Sequence, residues 1–241
     1  MKGARWESIR ARIAGSVIAA LLWRYACHAV MVALALWNEA RPAPALHDLV
    51  LDIVPHVQWI AAHNYQLWLA AYAPLAIALW RRDRDIFVRF LWVGGVLSLL
   101  RGLCIPLTGL GPTWGPDLNA GLPVSTLFAA WLAIVNPVSA LLTDAPHAYL
   151  TKDLFFSGHA SSTFLLWLYC RKDRVLGPLA LAAHALVVAI VFLAHLHYTI
   201  DVVGAWAITY CIYMLFEAGH GPSHASHAPQ GPGPGSSGSP K

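Results

Sequence analysis

Two histidines and an aspartate stand out in a chain that is otherwise mostly apolar. His197-Tyr198-Thr199-Ile200-Asp201 lies at the junction of two apolar runs. As a helix, this stretch places His197 and Asp201 one turn apart on one face. A carboxylate hydrogen-bonded to one imidazole nitrogen fixes the tautomer and leaves the other nitrogen a better base or nucleophile. The plain alternative is that the two side chains only satisfy each other at a helix end. Ionisable groups at membrane depth are costly, however, and point to function. His195 falls about 200° away from His197 on a helix and is expected to pack elsewhere.

A second stretch runs Asp153-Leu154-Phe155-Phe156-Ser157-Gly158-His159. Ser157 and Gly158 precede an apolar run, so free N–H groups at that helix start can cradle an oxyanion. His159 follows at once, placed to protonate a leaving alkoxide. A histidine near a helix start is often only a solvated terminus, and the pairing with His197 and Asp201 argues against that here.

The elements that position these residues must lie in a bilayer. The 241-residue chain is 58% hydrophobic and 12% charged, against about 25% charged in soluble proteins. Its net charge of +4 sits in short clusters between apolar runs, a topology signal that excludes a nucleic-acid surface. Many of its eleven tryptophans flank apolar stretches, where they anchor segments at the interface. Cys27, Cys104, Cys170 and Cys211 fall within apolar segments without paired spacing, so they read as small hydrophobes. No metal or other cofactor is expected.

A spanning helix needs about 20 mostly apolar residues. The candidates are 13–37, 57–80, 87–108, 156–170, 178–196 and 200–217. The first is too long for a signal-peptide core and is read as a retained span. A further apolar stretch, 121–142, holds Pro123 and Asn136-Pro137. Cations cluster at Lys2, Arg5, Arg10 and Arg12, at Arg81, Arg82, Arg84 and Arg89, and at Arg171, Lys172 and Arg174. The positive-inside rule places all three clusters in the cytoplasm if 121–142 does not cross. The expectation is therefore an all-α, polytopic membrane bundle of about six transmembrane helices. Residues 1–218 form one transmembrane domain, followed by a disordered Gly/Pro/Ser/His tail at 219–241. The loops 38–56, 109–155 and 197–199 then emerge together on the non-cytoplasmic side with the chemical residues.

Ser157-Gly158-His159 followed by His197 and Asp201 resembles the type-2 phosphatidic acid phosphatase superfamily. The chain is most similar to its sphingomyelin synthase branch, whose four motifs can be placed in order. Leu46-His47-Asp48-Leu49-Val50-Leu51-Asp52 with Val57-Gln58-Trp59 resembles the first, with His47 where proline is expected. Arg101 to Leu110 resembles the second, Asp153 to His159 the third and His197 to Val203 the fourth. The resemblance implies a six-span bundle with its site facing the lumen or the outside. It implies that His197 attacks phosphorus, Asp201 orients it, and His159 protonates the departing lipid alcohol. A phosphohistidine is then resolved by an acceptor alcohol. Arg101, Asp153, Ser157, Gly158, Asp48 and Asp52 are the expected substrate-binding residues. Should His159 need an acidic partner, only Asp117, Asp144 and Asp153 are nearby.

Monoester phosphatases of that superfamily carry Lys-x6-Arg-Pro and an arginine six residues before the second histidine. Here the only Arg-Pro is Arg41-Pro42, with Leu34 at the lysine position and Val191 at the arginine position. A monoester brings nearly two negative charges and needs several cations. Arg101 alone suits a diester. The expected activity is transfer of a phospho-headgroup from a phospholipid donor to a lipid alcohol of ceramide or diacylglycerol type. The alternatives are a lipid phosphate phosphatase or phospholipase C-type hydrolase, and more remotely a transporter using Arg24, His28, His63 and His184. A metal site from His195, His197 and Asp201 fails because the two histidines cannot share a helical face. Headgroup identity and oligomeric state, homo-oligomers included, stay open.

Overall fold

A computed structural model describes residues 15–143 and 145–218. The Lys2–Arg12 cluster, Asp144 and the tail at 219–241 lie outside the described residues. Among these residues there are ten helices and no strand: α1 (Val17–Glu39), α2 (Leu49–Ile53), α3 (Gln58–Arg82), α4 (Arg84–Thr108), α5 (Val124–Val135), α6 (Pro137–Leu142), α7 (Ala145–Tyr149), α8 (Gly158–Cys170), α9 (Leu176–Leu193) and α10 (Thr199–Ala218).

Four of them, α1, α4, α9 and α10, are long and apolar enough to cross a membrane. The protein is a polytopic helical bundle. α3 has 25 residues but carries His63, Asn64 and Gln66. α8 has only 13 residues, about 20 Å at 1.5 Å per residue, short of a hydrocarbon core of about 30 Å. The 121–142 stretch is broken. α5 has 12 residues and ends at Asn136, whose side chain caps α6 by accepting from Val138 and Ser139. Neither piece can cross alone.

Local sequence explains the boundaries. Ser16 caps α1 by accepting from the Ala19 amide. Asp83 ends α3 and begins α4, accepting from Ile86, so the two helices meet at one residue. α4 ends at Gly109, whose φ of 55° is the left-handed conformation a helix C-terminus favours.

α4 is the central pillar, with Phe90, Val93, Leu97, Arg101 and Ile105 buried. Its most extensive packing is with α1. A Cβ added at Gly102 would lie 3.0 Å from the Met31 Cα, so the glycine lets the two backbones approach without either giving way. Lipid tails are as apolar as leucine, so close packing rather than water exclusion holds such helices together. Polar ties add to it. Trp206 donates from Nε1 to His184 Nε2 (2.8 Å), which leaves the proton of His184 on Nδ1, facing the Thr163 hydroxyl (2.8 Å). His184 thus links α8, α9 and α10 as a core residue.

The two ends of the bundle differ. At one end Arg82 pairs with Asp173 at 2.8 Å. At the other, Tyr198 gathers three loops: its hydroxyl lies 3.1 and 3.2 Å from the Gly111 and Pro112 carbonyls and accepts from the Leu46 amide. Nearby, buried Glu39 accepts from Asn119, Thr151 and the Lys152 amide. The loops 40–57 and 109–157 therefore share an end with the α9–α10 junction, opposite Arg81–Arg89 and Arg171–Arg174.

The expected outcome of cysteine labelling follows. In a background lacking the native cysteines, Ala145→Cys and Lys172→Cys should react with a membrane-impermeant thiol reagent from opposite sides. Labelling of both from one side of a sealed membrane would refute the arrangement.

Candidate active site

The loop before α8 is held from three directions. Leu154 and Phe156 are buried beneath it. Phe155 lies against Gly204 of α10, where an added Cβ would come within 2.6 Å of the ring. Arg101 reaches in from α4. Its Nε donates to the Phe156 carbonyl at 2.7 Å, and its Nη2 to the Asp153 carboxylate at 3.0 Å and to the Asp153 carbonyl. Gly158 makes room for it, since a Cβ there would lie 3.2 Å from Nε.

Ser157 caps α8, its hydroxyl accepting from Ala160 at 3.2 Å, while its own amide donates to the Asp201 carbonyl at 3.0 Å. The Ser157 hydroxyl oxygen and amide thus both help hold this loop. The first-turn amides of Gly158 and His159 have no helical acceptor and remain for an oxyanion. The His159 carbonyl accepts from Thr163 (2.9 Å) and Ser162 (3.1 Å). Thr163 is backed by His184, and Ser162 accepts from Trp68 Nε1 at 3.1 Å. Three helices thus fix the backbone that carries His159.

α10 begins at Thr199, so His197 precedes the helix. The expectation of one shared helical face is corrected: Asp201 Oδ2 caps the helix start by accepting from the Tyr198 amide at 2.9 Å. The chain bends before it, with His195 at a φ of 49°. The approach survives by this other route, with His197 Nδ1 3.6 Å from Asp201 Oδ2. That is ion-pair range and outside hydrogen-bond range, a looseness common before substrate binds. The His159 and His197 rings meet edge to face, 6.1 Å between centroids. His159 Nε2, His197 Nδ1 and Asp201 Oδ1 are all buried without a hydrogen-bond partner. Each such atom costs about 1–3 kcal/mol, and their concentration at one point marks a site built for something to fill it.

Both histidines, Arg101, Asp153 and Gly158 line one cavity of about 350 Å³. Asp48 and Asp52, expected at the substrate, do not line it. Asp48 caps α2 and accepts from the Thr199 amide (2.6 Å) and hydroxyl (2.9 Å). Partial burial opposes its charged form, but these hydrogen bonds prevail and hold its pKa below the usual carboxylate value. Asp52 pairs with His47 at 2.9 Å in solvent. Lys152, the other cation near the motifs, is sealed against Asp117 (2.6 Å) and the Arg41 carbonyl. Of the candidate acidic partners for His159, Asp117 and Asp153 are thus occupied by cations. His195 packs as expected, with Nε2 2.9 Å from the Val54 carbonyl, though its ring also lines the cavity against those of His56 and Trp114.

Sequence reasoning missed Tyr198 and Glu39 as organisers. Tyr198 stands inside the fourth motif, and Glu39 is the lone acid at the end of an apolar run; those were the available signals.

Two outcomes are expected. Asp201→Asn keeps an oxygen for the Tyr198 cap but removes the charge behind His197, so kcat should fall by about two to four orders of magnitude with little change in Tm. A comparable loss of Tm would reduce Asp201 to a cap. For Asp48, the folded pKa lies below the unfolded value. Its contribution is present above the unfolded pKa and is lost as pH falls through the folded one. Tm measured against pH should therefore drop at the acid end in the wild type and less steeply in Asp48→Asn.

Residues 152–218 match the family model described as PAP2 superfamily C-terminal. The match takes in Asp153, Ser157, Gly158, His159, His197 and Asp201, together with α8, α9 and α10. The first two motif-like stretches, at 46–59 and 101–110, lie outside it. No curated protein matches the chain. The segment that carries the two histidines and the aspartate is thus similar to the C-terminal part of the PAP2 superfamily.

Proposed function

We propose that the protein is a sphingomyelin synthase-like phosphotransferase, moving a phospho-headgroup from a phospholipid diester to a lipid alcohol such as ceramide or diacylglycerol. The observation that carries this reading is the pair His159 and His197 in one cavity, beside the Arg101 guanidinium with donors to spare. Arg101 has five N–H donors. Three are committed to the loop before α8, while Nη1 meets only the Met31 thioether at 3.1 Å. Sulfur is a weak acceptor, so the Nη1 protons can turn to a phosphate oxygen.

Asp201 beside Nδ1 leaves Nε2 of His197 as the nucleophile. Nε2 attacks phosphorus, the bond from phosphorus to the donor's lipid oxygen breaks, and His159 gives that oxygen its proton. The amides of Gly158 and His159 and the Arg101 Nη1 support the charge on the equatorial oxygens. The acceptor then loses its hydroxyl proton to His159 and attacks phosphorus. The phosphorus–nitrogen bond breaks and His197 returns to its starting state. In this reading the site faces the non-cytoplasmic side, the end at which the cation-poor loops gather.

A diester is favoured because the cations near the trio are few. Lys152 is sealed, and Arg24, the cavity's other lysine or arginine among the described residues, lies about one turn below Arg101. A missing charged hydrogen bond weakens binding by about 1.5–3 kcal/mol. Two of them lower monoester turnover by roughly two to four orders of magnitude.

The test is to incubate purified protein with headgroup-labelled phospholipids, with and without diacylglycerol or ceramide, and to identify products by mass. Label should transfer to the added lipid alcohol, and an alkaline quench should trap labelled phosphohistidine that His197→Ala lacks. Release of phosphate from phosphatidic acid faster than turnover of every diester would return the protein to the phosphatase alternative.

A further inference from the structure

The cavity continues below the reacting histidines to a second arginine that this mechanism does not use. Its walls descend on four helices: Met31, His28 and Arg24 on α1, Arg101, Ser98 and Gly94 on α4, His159 to Leu165 on α8, and Asn64 to Tyr72 on α3. Arg24 donates from Nη1 to the Ser98 hydroxyl. Its Nε lies 3.1 Å from where a Gly94 Cβ would stand, so Gly94 leaves the space that the guanidinium fills. Ser98 precedes Arg101 by three residues, about 4.5 Å along the helix. Arg24 therefore sits roughly one turn deeper in the bundle than the phosphate donors. Asp153 is the one acid on the cavity wall among the described residues, and Arg101 holds it.

A guanidinium at membrane depth without a carboxylate is costly unless oxygen acceptors reach it. Ser98 supplies one. Arg24 lines the cavity, whose wall at that depth sets apolar Phe90, Leu97 and Leu165 beside His28 and Tyr72 and holds no carboxylate. A phospholipid with its phosphorus at His197 carries its acyl carbonyl oxygens a few bonds below, where its chains begin. We infer that Arg24, with Ser98, is the subsite that binds the acyl carbonyl of the lipid substrate and selects acyl-linked over ether-linked lipids. The inference rests on the phosphotransferase reading for the placement of phosphorus.

A binding measurement separates the two. Full-length protein immobilised in detergent is offered isotope-labelled diacyl or dialkyl phosphatidylethanolamine, and retention is compared. Wild type should retain the diacyl lipid about ten- to a hundredfold better, the range of one charge-assisted hydrogen bond. His197→Ala should keep that preference even if it captures no phosphoryl group, so loss of chemistry and loss of the subsite are read independently. Arg24→Met should lower diacyl retention to the dialkyl level and leave dialkyl retention unchanged. Gly94→Ala keeps the charge but crowds Nε, and should weaken the preference in a protein that still migrates as a single species on gel filtration. Equal retention of the two lipids by wild type, including retention of neither, overturns the inference. So does a parallel loss of both lipids in Gly94→Ala or Arg24→Met.

Discussion

The guanidinium of Arg101 is the tie from which the site's geometry follows. It enters from the middle of the most buried helix and binds the Asp153 and Phe156 carbonyls and the Asp153 carboxylate. The loop it grips ends at Ser157, which starts α8 and hands its own amide to the Asp201 carbonyl. Asp201 in turn caps the Tyr198 amide and stands behind His197. Five residues thus carry a constraint from α4 to both histidines. Removing Arg101 would leave three oxygens without donors in a region poor in water, so its loss is expected to propagate to both rings rather than to one.

The same rule of polar satisfaction explains what surrounds the site. Inside a bundle at membrane depth, backbone and side-chain polar groups must find partners within the protein. Tyr198 serves Leu46, Gly111 and Pro112; Glu39 serves Asn119, Thr151 and Lys152; Lys152 Nζ serves Asp117 and Arg41. These ties hold the two long loops over one end of the bundle. Against that background the orphaned atoms of His159, His197 and Asp201 are informative. Three of the unpartnered buried atoms thus gather at the two histidines and Asp201, at the cavity rather than in the loops over it.

Much of this was legible in the sequence because it depends on length and spacing. Apolar runs gave the long helices, Asn136-Pro137 gave the break between α5 and α6, and the charge clusters gave the two ends. The histidines and Asp201 were legible as a group, but their local geometry was not. Spacing of four suggested a helical face, whereas the capping of the Tyr198 amide by Asp201 starts the helix two residues after His197. Asp48 and Asp52 illustrate the other limit. A motif reports that a carboxylate is present, and only the fold reports that the Thr199 amide and hydroxyl have already taken it. Arg24 was read as one more polar residue in a span. Its relation to Arg101 needs α1 to pack on α4 in a register set by Gly94, Gly95 and Gly102, which no local pattern discloses.

Under the proposed transfer reaction, that register also bears on how water and a lipid alcohol would compete for a phosphohistidine. Water is small and needs no subsite, so a lipid acceptor gains only if the cavity holds it near phosphorus for longer than water dwells there. An alcohol that shares the donor's acyl linkage can use the same deep guanidinium once the donor's lipid portion has left. In that proposed scheme its hydroxyl comes to the level of His159, which has then given up a proton and can take one. Proximity of this kind is worth several orders of magnitude in effective concentration. An arginine one turn below the chemistry would therefore favour transfer over hydrolysis without touching phosphorus, by keeping the acceptor in the site through the second half of the reaction.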